Sequence, residues 1–96
     1  MQIKFSPQRR DDALVVEKLN DILTVNGEVF DFSTVGEGDT LPADAISSEF
    51  FAGPVERIGG EIVLTLLLPH GPNPSAAVAF PETLVVTDNG PVELPQ

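Results

Sequence analysis

The sequence predicts a mainly β protein: a small antiparallel sandwich or partly open barrel built from hairpins, with at most one or two short helical turns. Two Asn-Gly pairs, Asn26-Gly27 and Asn89-Gly90, lie between short apolar runs. A type I′ hairpin turn needs φ > 0 at both of its central residues, and this pair accepts it. Gly59-Gly60 meets the same requirement without steric cost. The runs between these turns are rich in β-branched residues, which favour strands.

The stretch 55–68 is expected to organise the fold. Gly59-Gly60 joins its two arms, and Thr65 is the only polar interruption of the apolar run in the second arm, Glu61–Leu68. Because alternate side chains of a strand point to opposite faces, this run predicts a central strand covered on both faces and bounded by Gly60 and Pro69. One face would be formed by Ile62, Leu64, Leu66 and Leu68, and the other by Val63 and Leu67.

The N-terminal third predicts a short strand followed by a three-stranded meander. Met1–Phe5 alternates in polarity and is expected to end at Ser6-Pro7, before a polar connection over residues 8–12. Residues 13–18 fit a helix or a strand, and the meander that follows favours the strand. The meander continues with strands at Asp21–Val25 and Glu28–Phe32, and its inward residues are expected to be Val15, Leu23, Phe30 and Phe32.

Regular structure is expected to be sparser in the rest of the chain. Residues 36–40 predict a flexible acidic loop, and Pro42–Ser48 predicts one helical turn with Pro42 at its first position. Phe50-Phe51 is expected to plug the core beside that turn. Three prolines among residues 69–74 argue against regular structure there. A β-rich strand at Thr83–Asp88 and a short edge strand at Val92–Leu94 are expected on either side of the second Asn-Gly turn.

Size, composition and charge limit the classes of function. The 96 residues suffice for one β domain, residues 1–96, and include no cysteine, which excludes disulfides and thiolate metal sites. No apolar run approaches the roughly 20 residues of a membrane span, and no signal peptide is visible, so a soluble protein without a membrane partner is expected. The net charge is −10, and after Lys18 a single base faces twelve acids. Nucleic acid, which is bound by clusters of Lys and Arg, is not an expected partner. The one basic pair, Arg9-Arg10, is expected to be neutralised locally by Asp11-Asp12 or to form an inter-strand salt bridge.

The residues that could carry chemistry have simpler interpretations. His70 is the only histidine, and no Gly-x-Ser-x-Gly elbow accompanies it, so an ordinary loop histidine is favoured over a catalytic one. Zinc needs several N or S ligands, which one histidine does not provide. Glu37 and Asp39 lack the ligand spacing of a calcium loop, so a solvated acidic loop is favoured. No catalytic residue, metal or cofactor is predicted, and the chain is not expected to be an enzyme.

A protein-contact surface is predicted in Pro69–Pro81. This stretch contains four prolines, one histidine and no acid or base, in a chain that is otherwise strongly acidic. A proline-stiffened loop loses little conformational entropy when it docks. In the alternative interpretation, Ala76–Phe80 folds back as a strand and the loop only connects. The residues predicted to form the contact are Pro69, His70, Pro72, Asn73, Pro74 and Phe80.

Several phrases of the sequence resemble small proteins of similar length encoded among the tail genes of tailed bacteriophages and prophages. The phrases are spread along nearly the whole chain and are Phe5–Asp12, Leu23–Ser33, Phe50–Gly53, Leu64–Gly71 and Gly90–Pro95. The resemblance implies a tail-associated accessory or assembly protein that contacts a phage tail protein. It would be located in the cytoplasm of a bacterial host and would either be incorporated in the virion or act only during assembly. The alternative is a small acidic regulatory or inhibitory binding protein. Homo-oligomerisation is left open.

Overall fold

Two β-sheets enclose a common hydrophobic core in the computed structural model, which describes residues 1–96. Strands hold 43% of the residues and helices 7%, which confirms the predicted class, a small mainly β sandwich. The helical turns are a 3₁₀ turn at Ala43–Ala45 and helix α1 at Ala76–Ala79. The strands are β1 (Gln2–Arg9), β2 (Val16–Leu19), β3 (Ile22–Val25), β4 (Glu28–Asp31), β5 (Thr40–Leu41), β6 (Val55–Ile58), β7 (Glu61–His70), β8 (Leu84–Val85) and β9 (Gly90–Pro91).

The five-stranded sheet has the strand order β5-β6-β7-β1-β8, and the four-stranded sheet has the order β4-β3-β2-β9. β7 is therefore the central strand, as predicted. The chain begins in the larger sheet and builds the β2–β4 meander of the smaller one. It then returns for β5 to β8 and places β9 at the edge of the smaller sheet beside β2.

Only one face of the central strand is fully covered. Ile62, Leu64 and Leu66 are at most 1% exposed and pack in a core of 13 buried residues that both sheets supply. The alternate residues Val63 and Leu67 are half-buried, so the prediction of a strand covered on both faces was wrong. The reason is that one face of the larger sheet packs on the smaller sheet, and the opposite face has no layer over it.

The long pairing of β1 with β7 is parallel, which the sequence did not predict. Eight residue pairs run from Gln2–Val63 to Arg9–His70. Parallel strands cannot be joined by a tight turn, and here most of the chain lies between them. Both strands also continue through a proline: β1 does not stop at Ser6-Pro7, and β7 includes Pro69 and His70.

The alternation of hydrogen bonds explains why these two prolines are tolerated. In a strand, the N–H and C=O of one residue point to the same neighbouring strand, and those of the next residue point to the other. Arg10 N donates to His70 O at 3.1 Å, and Leu67 N donates to Phe50 O at 2.8 Å. Even-numbered residues of β1 and β7 therefore bond across the parallel ladder. Pro7 and Pro69 are odd-numbered, so the N–H that proline lacks would point away from that ladder.

The β3–β4 hairpin of the meander and the β6–β7 hairpin of the larger sheet follow the predicted turn chemistry. Asn26 and Gly27 have φ values of 49° and 84°, as a type I′ turn requires, and Gly59 and Gly60 have 61° and 82°. The inward face of β2 was misassigned by one residue, because Val16 is buried whereas Val15 is 61% exposed. The other predicted inward residues are placed correctly: Leu23 and Phe32 are buried, and Phe30 packs against the core.

The second Asn-Gly pair does not form a hairpin turn. β8 pairs with β1 in the larger sheet and β9 pairs with β2 in the smaller one, so Asn89-Gly90 lies where the chain changes sheets. Only Gly90 has positive φ. The Asn89 side-chain oxygen accepts hydrogen bonds from Lys18 Nζ at 3.2 Å and from the Asn20 amide at 2.8 Å. Asn89 thus fixes the C-terminal part of the chain to the β2–β3 turn. The predicted strands Thr83–Asp88 and Val92–Leu94 are replaced by the two-residue strands β8 and β9.

Candidate protein-contact surface

The six residues predicted to form a contact surface lie in three places. Pro69 and His70 end β7 and are half-buried. Pro72, Asn73 and Pro74 are in the exposed loop tip, where Asn73 takes a φ of 61°. Phe80 follows α1 and is 82% exposed. The structure therefore does not gather the six residues into one patch.

The predicted residues that line a groove are divided between two grooves. The C-terminal segment, residues 92–96, lies between these two grooves. The first groove, about 420 Å³, brings Pro69 and His70 beside residues 10–14 and the end of the chain. The second, about 640 Å³, contains Phe80. Leu94 and Pro95 line both grooves. Pro72, Asn73 and Pro74 line neither.

The first groove is occupied by polar groups that already have partners. His70 Nδ1 lies 2.7 Å from the Gly71 carbonyl oxygen, which can only accept, so this nitrogen carries the proton. The Arg10 guanidinium donates to Asp12 and Glu49 and lies 5.1 Å from the centroid of the Phe50 ring. The hydrogen bond from Arg10 lowers the pKa of Asp12. The predicted neutralisation of this basic pair by its acidic neighbours is confirmed for Arg10 and Asp12.

The acidic loop is held by backbone amides. The two Glu37 carboxylate oxygens accept hydrogen bonds from the Gly60 and Gly59 amides, at 2.7 and 3.0 Å. Asp39 Oδ2 accepts from the Gly36 amide at 3.0 Å. Glu37 therefore binds the hairpin turn between β6 and β7. The prediction of a solvated, flexible loop did not include this contact.

The local sequence explains why Phe80 projects into solvent. The Ser75 hydroxyl accepts a hydrogen bond from the Val78 amide at 3.3 Å and so caps α1. The helix ends after one turn at Phe80, whose N–H bonds to the Ala76 carbonyl. The alternative in which Ala76–Phe80 returns as a strand is thus wrong. Ala76, Ala77 and Phe80 face a groove instead of a neighbouring strand.

We call this cavity the Phe80 groove. One wall comes from α1 and Phe80, the floor from the chain entering β8, and the opposite wall from the C-terminal segment. Its two charged residues are both acidic, and neither has an ion-pair partner in the chain. The groove is lined by Ala76, Ala77, Phe80, Glu82, Thr83, Leu84, Glu93, Leu94 and Pro95.

The C-terminal wall of the groove is held mainly by apolar packing. Val92 N donates to Val16 O at 2.9 Å, and no backbone hydrogen bond involves residues 93–96. Val92 and Leu94 pack against the core. The sequence interpretation placed the contact in Pro69–Pro81 alone and missed this wall. The available signal was charge, because the five bases of the chain cannot pair most of its fifteen acids.

Comparisons with protein-family models, with curated proteins and with solved structures found no match to this chain. The 3₁₀ turn and α1 have three and four residues, and neither could span a membrane.

Proposed function

We propose that this chain is a non-enzymatic binding protein that acts through protein–protein contacts, as a tail-associated accessory or assembly protein of a phage or prophage. The observation that carries the contact role is Phe80, which is 82% exposed at the wall of a groove of about 640 Å³. Exposed aromatic side chains beside apolar pockets are typical anchors of protein interfaces. The tail assignment rests on the resemblance of the sequence phrases described above.

A gene deletion tests this proposal. In a phage or prophage that carries the gene, we expect its loss to lower the yield of infectious particles and to leave incomplete tails in electron micrographs. Wild-type protein supplied from a plasmid should restore both. Mass spectrometry of purified particles then separates a structural component, which is present, from an assembly factor, which is absent. Unchanged yield and tail morphology after deletion would refute the tail assignment.

The second candidate is a small acidic regulatory or inhibitory binding protein. The net charge of −10 favours it, because a strongly acidic surface attracts basic partners. Under this hypothesis, deletion leaves the particles intact. The tagged protein should instead capture a basic host protein at low salt and release it as the ionic strength rises.

A further inference from the structure

The Phe80 groove presents apolar surface that no part of the chain covers. Phe80 is the most exposed large apolar residue, at 82%, compared with 67% for Val29 and 61% for Val15. Ala76 and Ala77 are also exposed, and Leu84 and Leu94 are half-buried. A groove of about 640 Å³ lies within the range of roughly 300–1,000 Å³ typical of ligand sites. It has room for an apolar side chain and its neighbours.

The charged residues of the groove indicate which charge a bound ligand should carry. Glu82 and Glu93 are exposed residues that line the groove, and no positively charged residue lines it. The one base that the chain has after Lys18 is Arg57, whose guanidinium is bonded to Asp21 and to three backbone carbonyls. Neither this arginine nor any other base of the chain forms an ion pair with the two carboxylates. A cation supplied by a ligand would pair with them, and phosphate groups of a nucleic acid or a lipid would be repelled.

From these observations we infer that the Phe80 groove binds a protein segment in which an apolar side chain is flanked by lysine or arginine. The apolar side chain would pack between Phe80 and Leu94, and the flanking cations would pair with Glu82 and Glu93. The inference rests on the proposed function, since it names the chemistry of the partner at the same surface. A second copy of the chain is the competing occupant, but two copies that each carry −10 repel one another.

A peptide titration followed by NMR tests the inference. The probe is the acetylated and amidated hexapeptide Gly-Arg-Leu-Phe-Arg-Gly, added to the ¹⁵N-labelled full chain. We expect saturable shifts in the backbone amides of residues 76–80, 82–84, 92–94 and 96. Two matched peptides serve as controls: one with both arginines replaced by glutamate, and one with leucine and phenylalanine replaced by serine. The inference fails if the cationic apolar peptide gives no saturable shift, if its shifts lie elsewhere, or if either control binds equally well.

Variants of the chain separate the charge from the apolar contact. The double variant Glu82→Gln/Glu93→Gln should bind the peptide about three- to tenfold more weakly, with a smaller dependence on salt. Phe80→Ser should remove saturable binding, whereas Val29→Ser, at an exposed apolar residue on β4, should bind like the wild type. Equal affinity and salt dependence in the double variant would overturn the role of the carboxylates.

The outcomes distinguish this inference from the proposed function and from self-association. If phage assembly requires the protein but the protein does not bind the peptide, only the inference is refuted. A chain that binds the peptide but is dispensable for the phage would refute only the tail assignment. Sedimentation equilibrium of the wild type and of Phe80→Ser decides on self-association. A dimer that the substitution dissociates would assign the groove to a second copy and overturn the inference.

Discussion

Arg57 connects the two sheets at the residue scale. Its guanidinium donates to the carbonyls of Val35, Phe32 and Gly60 and to the Asp21 carboxylate, with 2.9 Å to Asp21 Oδ2. The side chain is 14% exposed, so these bonds are partly shielded from water. Arg57 lies on β6 of the larger sheet, whereas Asp21 lies in the β2–β3 turn of the smaller one. A planar fork with five N–H donors can serve four acceptors, and a lysine cannot.

Replacing Arg57 by lysine should therefore destabilise the protein although the charge is kept. We expect Arg57→Lys to lower the free energy of unfolding by about 1–3 kcal/mol, since carbonyls lose donors in a partly buried site. Urea unfolding followed by circular dichroism measures the change. Arg9→Lys is the matched control, because Arg9 is exposed and has no side-chain partner. Equal stability of the Arg57 variant and the control would show that the Arg57 hydrogen bonds contribute little to the free energy of unfolding.

Glu61 makes stability depend on pH in the acid range. A hydrogen bond from the Gln2 amide and the nearby Met1 amino group lower its pKa. A carboxylate with a lowered pKa stabilises the fold above its ordinary pKa of about 4.3, and this contribution is lost as the pH falls through the folded-state value. We expect the wild type to be more stable than Glu61→Gln at pH 7. The difference in unfolding free energy should shrink steadily below about pH 4. A difference that is constant between pH 7 and 3 would contradict this account.

At the scale of elements, turns were predictable from the sequence but strand partners were not. The turns at Asn26-Gly27 and Gly59-Gly60 need positive φ. This requirement is local, and the residue types at the turn indicate it in the sequence. Asn89-Gly90 has the same composition, yet its flanking segments pair with strands that lie at the other end of the chain. The parallel β1–β7 ladder also depends on distant residues. The sequence predicts strand ends at Pro7 and Pro69 because it does not show where the missing N–H would point. That direction depends on register, which is a tertiary property.

Only the even-numbered residues of β1 and β7 hydrogen-bond across the parallel ladder, and this leads to a prediction about proline. Ser6→Pro should lower the free energy of unfolding by about 2 kcal/mol or more, because the Ser6 N–H points to β7. Pro7→Ala, one residue away, should change it by less than about 1 kcal/mol, because the restored N–H points away from the ladder. Denaturant unfolding of both variants provides the measurement. Equal losses would mean that the strands pair in another register.

The two faces of β7 should differ in their sensitivity to truncation. Leu66 is fully buried, so Leu66→Ala should cost about 2–5 kcal/mol through lost burial and the cavity left behind. Leu67 lies on the half-buried face, and Leu67→Ala should cost about 1 kcal/mol. Thermal and urea unfolding of the two variants test the difference. Similar losses would indicate that a partner or a second layer covers the outer face.

At the scale of the whole molecule, the sequence predicts only one part of the proposed contact surface. Phe80 was placed on it from composition alone, as the apolar end of an uncharged, proline-rich stretch in an acidic chain. The C-terminal wall could not be predicted, because residues 92–96 reach Phe80 only through the change of sheet at Asn89. The loop tip, Pro72–Pro74, remains a predicted contact without a groove. We therefore propose the Phe80 groove as the main contact site.

Site-specific photo-crosslinking during phage growth tests that central claim most directly. A photoreactive phenylalanine analogue is placed at position 80 in one chain and at position 29 in a second, because Val29 is also exposed but lies outside the Phe80 groove. We predict one discrete crosslinked protein from position 80, identified by mass spectrometry as a tail protein whose crosslinked segment carries lysine or arginine. Position 29 should give none. The same crosslinked product from both positions, or none from position 80, would contradict the account.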